Sequence, residues 1–294
     1  MGASSYSVFS IKRMLFPLLA QPRVKQAIKW TVYVALFINF GFYIRDDLVG
    51  FNASLGPDAV IWDLLEAFTT SIDMAAWLML LVVLEFETYV LSEEAYTPWL
   101  ERGMLLLRVV CYLSIASAAW GYLSVARDYH STVPVEEAES VCELADQGLF
   151  QQLGVIEYEE ITTANCESLP AGGELRRIPN ELAIIDSSSL PGIQFLSWID
   201  VINGFVWILV VLLIEVEIQL QWEDRFASRL LRAVRMGKTL CYAVLIGNGI
   251  VWLFTGYYLY TWDAFLWIFG FWAIELNLAE WEMERVEQLQ EKPS

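Results

Sequence analysis

The chain is 294 residues long, 56% hydrophobic and only 18% charged, with a mean hydropathy of +0.45 and a net charge of −18. A soluble domain of this size carries about a quarter charged residues, so the composition indicates a membrane protein, and the negative charge excludes a nucleic-acid partner. One histidine, and no glycine-rich phosphate loop, Gly-x-Ser-x-Gly or Cys-x-x-Cys motif, starve histidine-based metal centres and Ser-His triads alike; the chain is read as a non-enzyme without a cofactor.

Residues 1–28 mix apolar and basic positions and form an N-terminal cytoplasmic segment, either an interfacial helix or a disordered tail. Six apolar runs with aromatic flanks follow, at 29–45, 65–87, 104–125, 197–219, 239–260 and 263–282. Each approaches the roughly 20 residues that a hydrocarbon core of about 30 Å requires. The expected fold is therefore an all-α integral membrane protein of six transmembrane helices. Placing the N-terminus inside puts 14 of the 18 Lys and Arg residues on the cytoplasmic side and leaves Arg45, Arg127, Arg176 and Arg177 outside. Both termini are then cytoplasmic, and a bacterial inner membrane is the expected location.

The second span is the most polar, with Asp63, Glu66, Thr69, Thr70 and Asp73 before its apolar run. Its first part reads as an insertion, either a surface helix or an extra turn. Between the third and fourth spans, residues 126–196 hold 13 Asp and Glu against 3 Arg, a local charge of about −10. This is an exoplasmic subdomain and a candidate surface for a basic protein partner. Val133–Leu149 carries a helical pattern, and Cys142 and Cys166 are placed to form a disulfide on the oxidising side of a membrane. Cys111 and Cys241 read as small packing residues.

The chain also repeats itself. Asp73, Trp77, Glu85, Glu87, Glu93, Leu100, Arg102, Arg108, Cys111 and Tyr112 recur 130 residues later, without a gap, as Asn203, Trp207, Glu215, Glu217, Glu223, Leu230, Arg232, Lys238, Cys241 and Tyr242. Asp263, Trp267, Glu275 and Asn277 repeat the first half again, and Arg23, Lys29 and Tyr33 repeat the second half. The inner spacing is constant, at 15 residues from Glu87 to Arg102 and from Glu217 to Arg232. Across the outer tips, Tyr33–Asp73, Tyr112–Asn203 and Tyr242–Asp263 span 40, 91 and 21 residues. Length variation confined to one side predicts three helical hairpins about a pseudo-threefold axis: 29–100, 101–222 with the insertion 126–196, and 223–294. Mitochondrial carriers share this count, but their Pro-x-Asp/Glu-x-x-Lys/Arg signature is absent from every odd-numbered span, so that family is not inferred.

Counting from a tip near Thr261, Glu275 lies 14 residues on, about 21 Å down a helix and inside the inner leaflet. The repeat brings Glu85, Glu87, Glu215, Glu217 and Asn277 to similar depth. Residues two apart on a helix point about 200° apart, so Glu87, Glu217 and Asn277 are expected on a central stripe. Glu85, Glu215 and Glu275 turn sideways. Two readings follow: a ring that binds a cation or protons, its metal unspecified, or ion pairs with Lys29, Arg108 and Lys238 that close the inner end. Asp73, Asn203 and Asp263 mark the outer end, with helix capping the plainer role for Asp263. Trp77, Trp207 and Trp267 fit an interfacial belt, and Asn39 and Asn248 fit close helix packing or a central polar contact.

The leading expectation is a cation or proton channel or transporter using the inner carboxylates. The alternative is a structural or accessory subunit that recruits a partner through its acidic exoplasmic loop. The bilayer is the first partner expected, then a cation, then a protein at that loop; homo-oligomerisation stays open.

Overall fold

The computed structural model of the protein describes residues 22–55, 60–86, 97–136, 138–179, 181–222 and 227–271. Its helices are α1 (Pro22–Ser54), α2 (Ile61–Ala67), α3 (Thr69–Glu85), α4 (Pro98–Asp128), α5 (Leu190–Trp222) and α6 (Ala227–Thr255), followed by α7 (258–271). Four of them, α1, α4, α5 and α6, are long and apolar enough to cross a membrane. The pair α2–α3 meets the same criterion only together, and it bends by 68°. The expected sixth span, 263–282, runs past the last described residue.

Local chemistry sets these ends. Thr97 caps α4, its hydroxyl accepting from Leu100 N at 3.4 Å, with Pro98 in the first turn and Arg127 in the last. At the start of α2, the Asp63 carboxylate accepts from Val60 N at 2.9 Å. Gly256 ends α6 with φ +93°, and Tyr257 N donates to Trp252 O at 2.9 Å, a Schellman closure that only glycine adopts at little cost. The third outer tip is thus the turn at Gly256–Tyr257, four residues earlier than the sequence count assumed. Asp263 consequently lies inside α7 and is not its N-cap.

The chain forms two compact units, residues 1–39 with 249–294, and residues 40–248. In the first, Val32 meets Gly270, and Phe265 packs on Gly249, whose carbonyl accepts from Thr261 Oγ1 at 3.2 Å. In the second, α4 packs on both α3 and α5, at glycines. A Cβ on Gly121 would stand 3.1 Å from Thr69 Cγ2, and one on Gly204 would stand 3.2 Å from Tyr122 Cδ2. Small residues at these crossings let backbones approach, as helix packing in lipid requires.

Buried positions fall at helical spacing on three helices: Val32, Leu36 and Asn39 on α1, Cys111, Ile115 and Ala118 on α4, and Cys241, Leu245 and Asn248 on α6. Much of the remaining surface of these helices is apolar and exposed, including Phe37, Leu106, Leu113 and Leu240. The Trp positions depart from expectation. Trp207 and Trp267 are only 8% exposed, and Trp77 and Trp207 approach with ring centroids 6.4 Å apart. Packed against neighbouring side chains, such rings gain by the large apolar area they remove from solvent.

Residues 129–189 fold into a small β domain, so the chain is not wholly α. Five short strands, β1 (Val133–Pro134), β2 (Phe150–Gln152), β3 (Tyr158–Glu160), β4 (Leu175–Arg177) and β5 (Ile184–Asp186), form one sheet in the order β1-β4-β5-β2-β3, with β2 and β5 parallel. Alternation in β5 sends Ile184 into a core with Val141, Leu144, Ile161 and Leu175, and Ile185 into one with Tyr129, Ile178 and Ile193. The second core seats the sheet on the ends of α4 and α5. Cys142 and Cys166 form the expected disulfide. The helix expected over Val133–Leu149 is instead β1, a 3-10 turn at Val141–Leu144 and irregular chain. Val135, Ala138, Val141 and Leu144 are buried, so their three-residue spacing reflects contact with the sheet and not a continuous helix.

Candidate functional site

The C-terminal part of α5 places Glu217 against α6. Arg235 Nε donates to Glu217 Oε1 at 2.8 Å, and Lys238 Nζ lies 2.6 Å from Glu217 Oε2. The Lys238 and Glu217 side chains are only 11% and 12% exposed, whereas Arg235 is 57% exposed. Both carboxylate oxygens therefore hold a cation, and the three groups sum to a charge of +1. A permeating cation would have to displace Lys238 to reach this acid. Of the basic residues on α6, Lys238 and Arg235 thus both reach Glu217, Lys238 from a buried position and Arg235 from an exposed one.

Glu215 is exposed, on the other side of α5 from Glu217, as the 200° relation requires, and Glu85 is half-buried at the end of α3. Glu87, Glu275 and Asn277 lie outside the described residues. No group of three or more His, Cys, Asp or Glu side chains among the described residues is arranged to hold a metal ion.

At the other end, Asp73 accepts from Trp77 Nε1 at 3.0 Å and from Tyr122 Oη at 3.3 Å, linking α3 to α4. Asp263 accepts from Asn39 Nδ2 at 2.8 Å, linking α7 to α1. Asn203 Oδ1 and Asn248 Nδ2 are buried without a hydrogen-bond partner among the described residues. Asn39 and Asn248 hold matching buried positions, and Asn39 Nδ2 is the one donating to Asp263.

The β domain carries most of its carboxylates outward: Glu136, Glu139, Glu143, Glu157, Glu159, Glu160, Glu167 and Glu174 are exposed. Asp186 is fully buried. Burial alone would raise its pKa, but donors from the Ser188 hydroxyl and the backbone N–H groups of Gly173, Ser188 and Gly172 hold it below the usual carboxylate value.

Sequence reasoning missed a junction where the β domain meets the helices. Leu182 N donates to Ser54 O at the end of α1 at 2.9 Å. The neighbouring Glu181 is pushed up to about 7, by burial first and then by the charges of Asp128, Glu66 and Asp63. Asp63 and Glu66 stood out in the sequence as polar members of the second span, but nothing in the local pattern tied them to Glu181. Comparison with protein-family models, curated proteins and solved structures finds no match.

Proposed function

We propose that this chain is a non-catalytic subunit of a membrane complex, presenting its acidic β domain on the exoplasmic side to a basic protein partner. The observation that carries this reading is the double engagement of Glu217. An acid within a span whose two oxygens are held by Arg235 and Lys238 acts as an internal tie, since a buried charge is tolerated when paired. The β domain gathers a set of accessible carboxylates on one folded unit, Glu136, Glu139, Glu143, Glu157, Glu159 and Glu160 among them. Its disulfide and two cores give them a rigid platform, and such a field steers an oppositely charged partner.

The same proposal includes six spans arranged as three repeated hairpins. The matched buried positions on α1, α4 and α6 support it, as does the pairing of α3 with α4 through Asp73 and of α7 with α1 through Asp263.

The test is cross-linking in native membranes. The partner should be lost when Glu136, Glu139 and Glu143 are changed together to Lys, and retained in Glu217→Gln. Retention in the first variant overturns the proposal. A second reading, cation or proton transport, draws support from the buried, unpartnered Asn203 Oδ1 and Asn248 Nδ2, which water or an ion would satisfy. Cation flux into liposomes that disappears in Glu217→Gln would favour it; absence of flux from the unmodified protein counts against it.

A further inference from the structure

The short helix α2 is amphipathic in the inverse sense to a helix on a water-soluble protein. At 100° per residue, Ile61, Leu65, Trp62 and Leu64 occupy one arc of roughly 160°. Asp63 and Glu66 lie opposite. The four apolar residues are all exposed, Trp62 to 72%, and the preceding Val60 is exposed as well. The polar side faces the protein: Asp63 and Glu66 are half-buried, Glu66 Oε1 is enclosed, and Glu66 senses the charges of Asp128 and Asp63. A helix that turns carboxylates inward and leucine, isoleucine and tryptophan outward is not built to face water.

The surroundings identify what it does face. The bend of 68° turns α2 away from the line of α3. The first residue of α3, Thr69, lies against Gly121 of α4, so the bend is level with Trp120. Trp120 is 63% exposed, and the Arg127 guanidinium lies over its ring, 5.6 Å from the centroid. An outward tryptophan under a stacked arginine, about two turns from a helix end, is the pairing that marks a membrane–water boundary.

We propose that α2 lies in the membrane–water interface on the β-domain side, its apolar arc seated at the boundary between phospholipid headgroups and acyl chains. Its polar side then forms the shelf on which Asp128 and the β-domain loop at Glu181 converge. The lipid surface and the β domain are thereby held to opposite sides of one short helix, which sets the height of the domain above the bilayer.

The experiment uses the full chain in phosphatidylcholine–phosphatidylglycerol nanodiscs, with Cys111→Ala and Cys241→Ala, and a nitroxide introduced singly at positions 61, 62, 63, 65 and 157. The ratio of oxygen to water-soluble nickel-chelate accessibility should be several-fold higher at 61, 62 and 65 than at 157, with 63 protected from both. Positions 61 and 65 should report the same depth. A difference of about 6 Å between them, the rise of four helical residues, would show a span end and overturn the proposal. So would a ratio at 62 equal to that at 157, which means water, or a label at 62 reached by neither reagent, which means a second copy or another protein. Where a labelled variant fails to fold, Trp62→Phe gives an independent reading. Its difference from the unmodified protein isolates the Trp62 emission, which lipids brominated near the headgroup should quench more than iodide does. The reverse order overturns the proposal.

Discussion

Lys238 reaches from α6 to set its ammonium 2.6 Å from Glu217 on α5, and neither side chain is more than 12% exposed. Removing one partner of such a pair leaves an uncompensated charge in a poor solvent, at a cost of about 3–5 kcal/mol. Lys238→Met should therefore destabilise the protein by that order. Glu217→Leu combined with Lys238→Met should return to within about 1 kcal/mol of the unmodified protein, because two apolar side chains replace a desolvated pair. Arg235→Ala should cost no more than about 1 kcal/mol, since that side chain is 57% exposed. Unfolding in mild detergent by increasing SDS measures all three. A double variant as unstable as Lys238→Met alone would show that Glu217 has another role.

The crossing of α3 with α4 depends on the absence of a side chain at Gly121. A Cβ there would meet Thr69, 3.1 Å from Cγ2 and 3.4 Å from Cβ. Gly121→Ala should cost about 1–3 kcal/mol through overpacking. Thr69→Ala should recover most of that loss, because it removes the hydroxyl and methyl that the new atom strikes. A double-mutant cycle on thermal unfolding reads the coupling directly. Strict additivity would mean that the helices part freely at this point.

How far these features can be read from sequence depends on the range of the interaction. The Cys142–Cys166 pairing was legible because the long segment between two spans holds these two cysteines and no other. The opposite exposures of Glu215 and Glu217 followed from helix geometry alone. Lys238 as the partner of Glu217 was one of two readings, since counting residues gives depth but not which face of α6 turns inward. The Trp77, Trp207 and Trp267 positions were misread for a related reason. A tryptophan one turn into a span has the same spacing whether it meets lipid or another helix. The α2–α3 bend falls at Phe68, with no proline or glycine to announce it. The junction of Asp63, Glu66, Asp128 and Glu181 draws on three separate segments, and no local pattern records such an encounter. Glu87, Glu275 and Asn277 lie outside the described residues, so their part in an acidic ring rests on the repeat.

The disulfide closes a loop with a sequence separation of 24 residues around much of the first β-domain core. In the chain-entropy account a loop of that length is worth about 3–4 kcal/mol. Cys142→Ser with Cys166→Ser should lower the stability of the β domain by that amount, while the helices, held by their own contacts, keep their unfolding midpoint. Hydrogen exchange followed by mass spectrometry separates the two regions. Equal loss of protection in α4 and in β2 would mean that domain and helices unfold as one unit.

Glu181 makes the β-domain seat dependent on pH. Its carboxyl is raised from 4.5 to about 7, first by burial and then by Asp128, Glu66 and Asp63. Between those two values the folded chain binds a proton that the unfolded chain has released, so stability falls as pH rises through this window and levels off above it. At about 1.4 kcal/mol per pKa unit the change is on the order of 3 kcal/mol, nearer to about 2 after solvent screening of a partly exposed group. Denaturation midpoints at pH 4.5, 6 and 7.5 should decline in that order. Glu181→Gln should flatten the slope, since it removes the group that takes up the proton in this window. Asp128→Asn should flatten the slope in part, because it deletes the first of the neighbouring charges without touching burial. A midpoint that rises with pH across the same window would show that Glu181 is ionised and paired in the folded protein, and the junction would then hold the domain by attraction.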